Sequence, residues 1–219
     1  MSRQDRFGWL AARRRPESGR GPRSWISSIY ARRLRVEALE DRRMLAVITV
    51  TSSADDQVVN DMVTLREAIQ AANTDASVDG SAPGSGADTI NFAAALFDQT
   101  ITLGGTDLEI SEAVTIDATA LAANLRVDGN LQSRIFDITA TTDNFTLAGL
   151  TLTGGRTIAS FEGGGAVRSA SSGNLTIDRS TVSGNSTAGS FAAGGGIHSQ
   201  GTVTLTHSTT ADANLGQAR

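Results

Sequence analysis

The sequence predicts an all-β fold: a right-handed, single-stranded parallel β-helix, or solenoid, with a short N-terminal capping helix and a disordered Arg-rich leader. Three observations carry that prediction. The chain matches itself when slid so that Asn144 falls on Asn174, and its short runs alternate aliphatic with hydroxyl residues at period two. Asn-Gly or Asp-Gly pairs, the mark of tight hairpins, occur only at Asp79-Gly80 and Asp128-Gly129. A sandwich or a propeller would need many more of them.

Composition narrows the chemistry before any element is placed. At 219 residues and 22.7 kDa the chain has room for one domain with an appendage. It contains no cysteine, which removes disulfides, thiolate zinc sites, iron–sulfur clusters and cysteine nucleophiles together. Two histidines leave little for a histidine-rich metal site. Aromatics make up 5% and glycines number 23, so the core has to be aliphatic and the backbone full of tight turns.

Residues 1–44 hold twelve Arg against five acids, a net of +7, while the remaining chain carries −11. There is no Lys, and Trp9, Trp25 and Tyr30, the only Trp and Tyr, all lie in this first stretch. No run approaches the roughly 20 apolar residues of a membrane-spanning helix, and the basic start lacks the apolar segment of an ordinary secretory signal. Three readings of residues 1–46 follow from charge: a solvated disordered leader, a nucleic-acid-binding arm, or an address read by export machinery. The segment Arg32-Arg33-Leu34-Arg35-Val36-Glu37-Ala38-Leu39-Glu40-Asp41-Arg42-Arg43-Met44-Leu45-Ala46 resembles the LEPR-XLL element of large exported bacterial proteins. Asp41 stands where the family name has Pro, and Met44-Leu45 stands for its closing hydrophobic pair. The resemblance implies export or surface sorting, with removal near Ala46. A nucleic-acid partner is not expected, because the acidic remainder would repel phosphate.

Residues 47–100 read as a cap module. Val47 to Ser52 alternates as a first strand. Thr64 and Glu67 then have capping-box spacing, and Leu65, Ala68, Ile69 and Ala72 share one face of a short amphipathic helix. Asp75 to Ala87 is a Gly, Ser, Asp and Pro loop, after which Asp88-Thr89-Ile90-Asn91-Phe92 is extended again. This order, with Leu65-Arg66-Glu67-Ala68 at its centre, resembles the CSLREA module that opens many bacterial surface β-helix proteins. Val63 and Thr64 replace the Cys and Ser of that name. A solenoid's first coil leaves unpaired backbone and an open apolar end, and a short amphipathic helix suits as a lid.

Residues 101–219 carry the repeat. Asn144-Phe145-Thr146-Leu147 aligns with Asn174-Leu175-Thr176-Ile177, and Gly164-Gly165-Ala166-Val167 with Gly194-Gly195-Gly196-Ile197. A two-residue deletion places Val203-Thr204-Leu205 under Leu175-Thr176-Ile177, and a single insertion places Val114-Thr115-Ile116 one repeat before Phe145-Thr146-Leu147. About four turns of one repeat are expected, aliphatics inward and hydroxyls outward. One turn alone cannot bury enough apolar surface to offset the entropy of ordering it, so neighbours must stack. The Gly-Gly turns followed by Leu-Thr-Ile resemble the repeats of polymorphic outer-membrane proteins. No lid follows the last coil, so the expected C-terminal edge is one that further coils or another chain would pair with, as in a truncated piece of a longer stalk.

The search for chemistry assigns no catalytic, cofactor-binding or metal-ligating residue and no cofactor. In the repeat frame Asp117, Ala148, Asp178 and Thr206 form one column, which sets Asp117 and Asp178 about 10 Å apart, too far to share a calcium ion. Asp178 and Arg179 make an acid–base pair only if a turn brings adjacent strand residues to one face. Asp128 reads as a turn former, and His198, placed at a turn, and His207 as isolated surface histidines. Sequons at Asn144, Asn174 and Asn185 read as a repeated Asn turn. The function expected is that of an exported or cell-surface β-helix acting as a structural stalk or adhesin-like module, with surface polysaccharide or other surface components as partners. A polysaccharide lyase or hydrolase of the same fold is the alternative.

Overall fold

The protein is described by a computed structural model that covers residues 45–211 and 215–217. The leader expected over residues 1–46 therefore lies outside the described residues but for Leu45 and Ala46.

Strand β1 (Val47–Val50) starts the fold and α1 (Leu65–Thr74) follows it. Thr64 caps the helix as its spacing predicts: its hydroxyl accepts from Glu67 N at 3.2 Å, while its own N–H donates to Glu67 Oε2 at 2.9 Å. Asp75 stops the helix in a left-handed conformation with φ 51°. The apolar face, Leu65, Ala68, Ile69 and Ala72, is buried, and the helix lies against β1, β2 (Asp88–Phe92) and the third strand of the first coil. It thus closes the N-terminal end of the interior.

Each later coil repeats one three-sided path. Coil 1 is β2, β3 (Thr100–Thr102) and β4 (Leu108–Ile110); coil 2 is β5 (Val114–Asp117), β6 (Leu125–Asp128) and β7 (Phe136–Ile138). Coil 3 is β8 (Phe145–Ala148), β9 (Leu150–Thr153), β10 (Arg156–Thr157) and β11 (Val167–Ser169). Coil 4 is β12 (Asn174–Asp178), β13 (Thr181–Val182), β14 (Ser186–Thr187) and β15 (Ile197–Ser199). Coil 5 is β16 (Thr202–Thr206), β17 (Thr209–Thr210) and β18 (Leu215–Gln217).

The strands stack into three long sheets, β1-β2-β5-β8-β12-β16, β3-β6-β9-β13-β17 and β4-β7-β11-β15-β18, with β10-β14 as a short fourth. Every pairing is parallel, and β2 to β16 makes four full turns of a right-handed parallel solenoid. The ladder registers follow the repeat read from sequence: Thr146 pairs with Thr115, Leu175 with Phe145 and Val203 with Leu175, so the insertion and the deletion fall where the self-match puts them.

Register produces columns. Ile48, Ile90, Ile116, Leu147 and Ile177 succeed one another, fully buried, up the first sheet, and Ile101, Val127, Leu152 and Val182 do so up the second. Leu108, Phe136, Val167 and Ile197 complete the interior from the third. Outside, Thr89, Thr115, Thr146, Thr176 and Thr204 form an unbroken hydroxyl column. Period-two alternation therefore sorts the two chemistries as the sequence predicts. The corner between the first two sheets requires a glycine in coil 3: Gly149 has φ 70°, and a Cβ there would sit 2.8 Å from Ala118 C.

Candidate functional site

The Asp117, Ala148, Asp178, Thr206 column exists, with Ala148 between the two carboxylates. Asp117 is engaged locally, its Oδ1 accepting from Thr119 N at 2.8 Å. Asp178 has company instead. Arg179 has φ 47°, a left-handed step that turns it back onto its neighbour, so Arg179 Nε reaches Asp178 Oδ2 at 2.9 Å. His207, 49° in φ and one coil on, places Nδ1 3.5 Å from Asp178 Oδ1. His207 is thus exposed but not isolated. Desolvation acts to raise the Asp178 carboxyl, and the hydrogen bonds and charges of Arg179 and His207 outweigh it, holding Asp178 below the ordinary carboxylate value.

Asp128 is the turn former its sequence suggests, with Oδ1 accepting from Asn130 N at 2.8 Å. The sequon asparagines serve corners. Asn144 Oδ1 accepts from Asn174 N at 2.8 Å, and Asn174 Oδ1 accepts from the Thr204 hydroxyl at 3.0 Å, a polar ladder running coil to coil. Asn185 is buried, donating to Leu152 O at 3.0 Å and Ser183 O at 3.1 Å and accepting from Gly155 N at 2.8 Å.

The densest chemistry lies at the entrance to the third sheet, where no site was expected. Arg134, almost fully buried, donates from Nε to Gly164 O at 2.9 Å and from Nη2 to Glu162 Oε2 at 3.0 Å and Gly163 O at 3.3 Å. Its Nη1 stands 3.5 Å from Asp107 Oδ2 and 3.8 Å from Asp137 Oδ2. Asp137 also takes a two-pronged hydrogen bond from Arg168, at 2.7 and 2.6 Å. Along the outer face the register gives Glu109, Asp137, Arg168 and His198 in succession. His198 is therefore the middle residue of β15 and not a turn residue, because the chain corner falls before Ile197.

The field of this corner is mixed. Desolvation and the Asp137 charge raise the Asp107 carboxyl despite Arg134 beside it. Hydrogen bonding to Asp137 holds Arg168 firmly protonated. Burial, then the Arg168 and Arg134 charges, push the His198 imidazole down, and its buried Nδ1 has no hydrogen-bond partner. Two depressions adjoin the network. A groove of about 400 Å³ is bordered by Asp107, Leu131, Arg134, Arg156, Ile158 and Glu162. A pocket of about 190 Å³ is bordered by Phe161, Glu162, Arg168, His198 and Gln200.

Sequence reasoning missed Asp107, Arg134, Asp137, Glu162 and Arg168. One signal was present: Asp137, Arg168 and His198 each stand one repeat from the next, so an acid and a base were due on adjacent strands. Among the described residues no group of three or more His, Cys, Asp or Glu is arranged to hold a metal ion, and no helix is long and apolar enough to cross a membrane.

The arrangement defines a class by fold, the parallel β-solenoid with a helical N-terminal cap. Beyond that class, no protein-family model, no curated protein and no solved structure matches the chain.

Proposed function

We propose that this chain is an exported, cell-surface β-helix module that acts as a rigid stalk and contact surface, with no catalytic activity of its own and with surface polysaccharide or other surface components as partners. The observation that carries the reading is the in-register stacking itself. Unbroken buried columns run up all three sheets and an unbroken hydroxyl column runs up the outside of the first, so the molecule offers a stiff exterior with a repetitive face. The motif resemblances support the address: the LEPR-XLL-like arginine segment suits surface sorting, and the CSLREA-like helix and polymorphic outer-membrane-protein-like repeats suit bacterial surface β-helices. The test is proteinase K treatment of intact cells that make the full chain. Digestion without lysis is expected, and complete protection until lysis would refute the surface reading.

A second reading, a carbohydrate-active enzyme of the lyase or hydrolase kind, is favoured by one cluster: Asp178 with Arg179 and His207, acid and bases together on an outer face beside a depression of about 640 Å³. Release of reducing ends from acidic polysaccharides, abolished by Asp178→Asn, would establish it over the first reading.

A further inference from the structure

We infer that the corner between the second and third sheets binds an uncharged hexopyranose chain, which packs its C–H faces on a ridge led by Phe161 and Phe191 and sets its hydroxyls into the polar depressions beside them. The inference rests on the surface-module reading and names the ligand class of that surface.

The first argument is conformational. Coils 2, 3 and 4 each turn this corner through a bulky apolar residue in left-handed backbone: Leu131 at φ 57°, Phe161 at 65° and Phe191 at 60°. Side chains other than glycine and asparagine avoid that region, and bulky ones most of all. Burial does not compensate, because Leu131 is 58%, Phe161 76% and Phe191 83% exposed, with Ile158 beside them at 71%. Hydrocarbon this exposed buries too little to offset the strain, which points to use as a contact surface. The two rings are already ordered against each other, centroids 5.3 Å apart and planes 10° from parallel, so the ridge is preformed.

Next comes what surrounds the ridge. Leu131 and Ile158 border the larger groove with Arg156 and Gln132, Phe161 borders the smaller pocket with His198 and Gln200, and Glu162 borders both. Hydrocarbon between donors and acceptors matches a pyranose ring, whose C–H faces are apolar and whose rim is hydroxyl. Arg156 forms no ion pair or side-chain hydrogen bond among the described residues, so its guanidinium is free to donate.

Size and charge choose among occupants. A stable protein interface needs about 800 Å² from each partner, far more than four side chains and two small depressions offer. Arg134, Arg156 and Arg168 balance Asp107, Asp137 and Glu162, and the chain beyond residue 44 carries −11, which repels polyanions. An uncharged sugar polymer is what remains.

The test is affinity electrophoresis of the full chain in native gels containing dextran, laminarin, galactomannan or polygalacturonate. Retardation is expected in at least one of the three neutral gels and not in polygalacturonate. Phe161→Gly/Phe191→Gly suits the left-handed backbone and so should fold, and it is expected to weaken that retardation about tenfold or more. Phe161→Tyr, which keeps the ring, should retain it, and Arg156→Ala should lose several-fold. Circular dichroism and light scattering accompany each variant. Retardation in no neutral gel, in polygalacturonate alone, or equally for the double glycine variant overturns the inference. So does a wild-type dimer that the double variant dissolves without altering retardation, since the ridge would then join copies of this chain. Sugar binding that fails while intact cells still expose the chain to protease sinks this inference alone; protection of the chain with sugar binding intact sinks only the surface reading.

Discussion

Coils 3 and 4 are cut from one template and diverge outside the shared interior, at their turns and on their outer strand faces. Their interiors correspond residue for residue: Phe145 with Leu175, Leu147 with Ile177, Leu152 with Val182, Val167 with Ile197, all buried. Their corners do not. Coil 3 has Gly155 where coil 4 has Asn185 and Glu162 where coil 4 has Ala192, and on the outer strand face it has Arg168 where coil 4 has His198. The interior must fit the coils above and below, so it admits only apolar exchanges such as Phe145 for Leu175, whereas the turns and outer faces accept new chemistry. Both corners nonetheless keep an exposed phenylalanine, and that retained feature is the exception the ridge explains.

The largest effect should come from the shared interior. Leu152→Ala empties a fully buried position between Val127 and Val182 and should cost about 2–5 kcal/mol in urea unfolding. A loss below about 1 kcal/mol would mean that the coils are not stacked on this column.

The corners should separate the two coils next. Asn185→Ala removes the side-chain partners of Ser183 O and Gly155 N and leaves Leu152 O with the Ser183 N–H alone, so a loss of about 1–3 kcal/mol is expected. Gly155→Ala, one coil back, puts a Cβ against Gly165 O and within 2.9 Å of Asn185 Oδ1, with about 1–3 kcal/mol expected from crowding. The side chain that coil 4 requires is one that coil 3 cannot accept. Thermal unfolding of both variants checks this, and a Gly155→Ala protein as stable as the parent would break the comparison.

Those strand registers were legible because stacking imposes periodicity that survives in sequence. The steps that carry Thr115 to Thr146, Phe145 to Leu175 and Leu175 to Val203 are all where local pattern put them, as are the Thr64–Glu67 cap and the Asp128 turn. The corner site was not, for two physical reasons. Arg134 acts through a long side chain that reaches Glu162 and Gly164 on the next coil, and the partners such a side chain finds are set by the path of the turns, which strand alternation does not encode. Left-handed backbone at Arg179, Phe161 and Phe191 carries no local signal either, because the residues present are ones that disfavour it. Hence Asp178 and Arg179 meet although strand alternation alone would send them to opposite faces.

A titration sharpens the contrast at Arg168 and His198. Arg168 stays charged, but burial and the two neighbouring guanidinium groups hold the His198 imidazole below its ordinary 6.5. An unfolded chain then takes up that proton near 6.5, the folded one only at lower pH. The His198 contribution to stability is therefore complete above about 6.5 and lost as pH falls from there through the folded value. Denaturation midpoints measured from pH 8 to 5 should fall, and His198→Gln should flatten that decline. An unchanged slope in the variant would assign the decline to other groups.

The smallest effect belongs to the pair that looks most like chemistry. Arg179 and His207 lie largely in water, and an exposed ion pair gains little once solvent screens it and two side chains are ordered. Arg179→Ala should leave the unfolding midpoint at neutral pH within error. Its trace should be a slightly shallower acid limb: Asp178, held below its ordinary value by Arg179 and His207, stabilises the fold above that ordinary value and ceases to as pH falls through the folded one, so losing Arg179 removes part of that acid dependence and the variant and parent converge in acid. A large loss at neutral pH would instead make the left-handed Arg179 corner part of what holds coils 4 and 5 together, and would set it beside Asn185 as a structural corner.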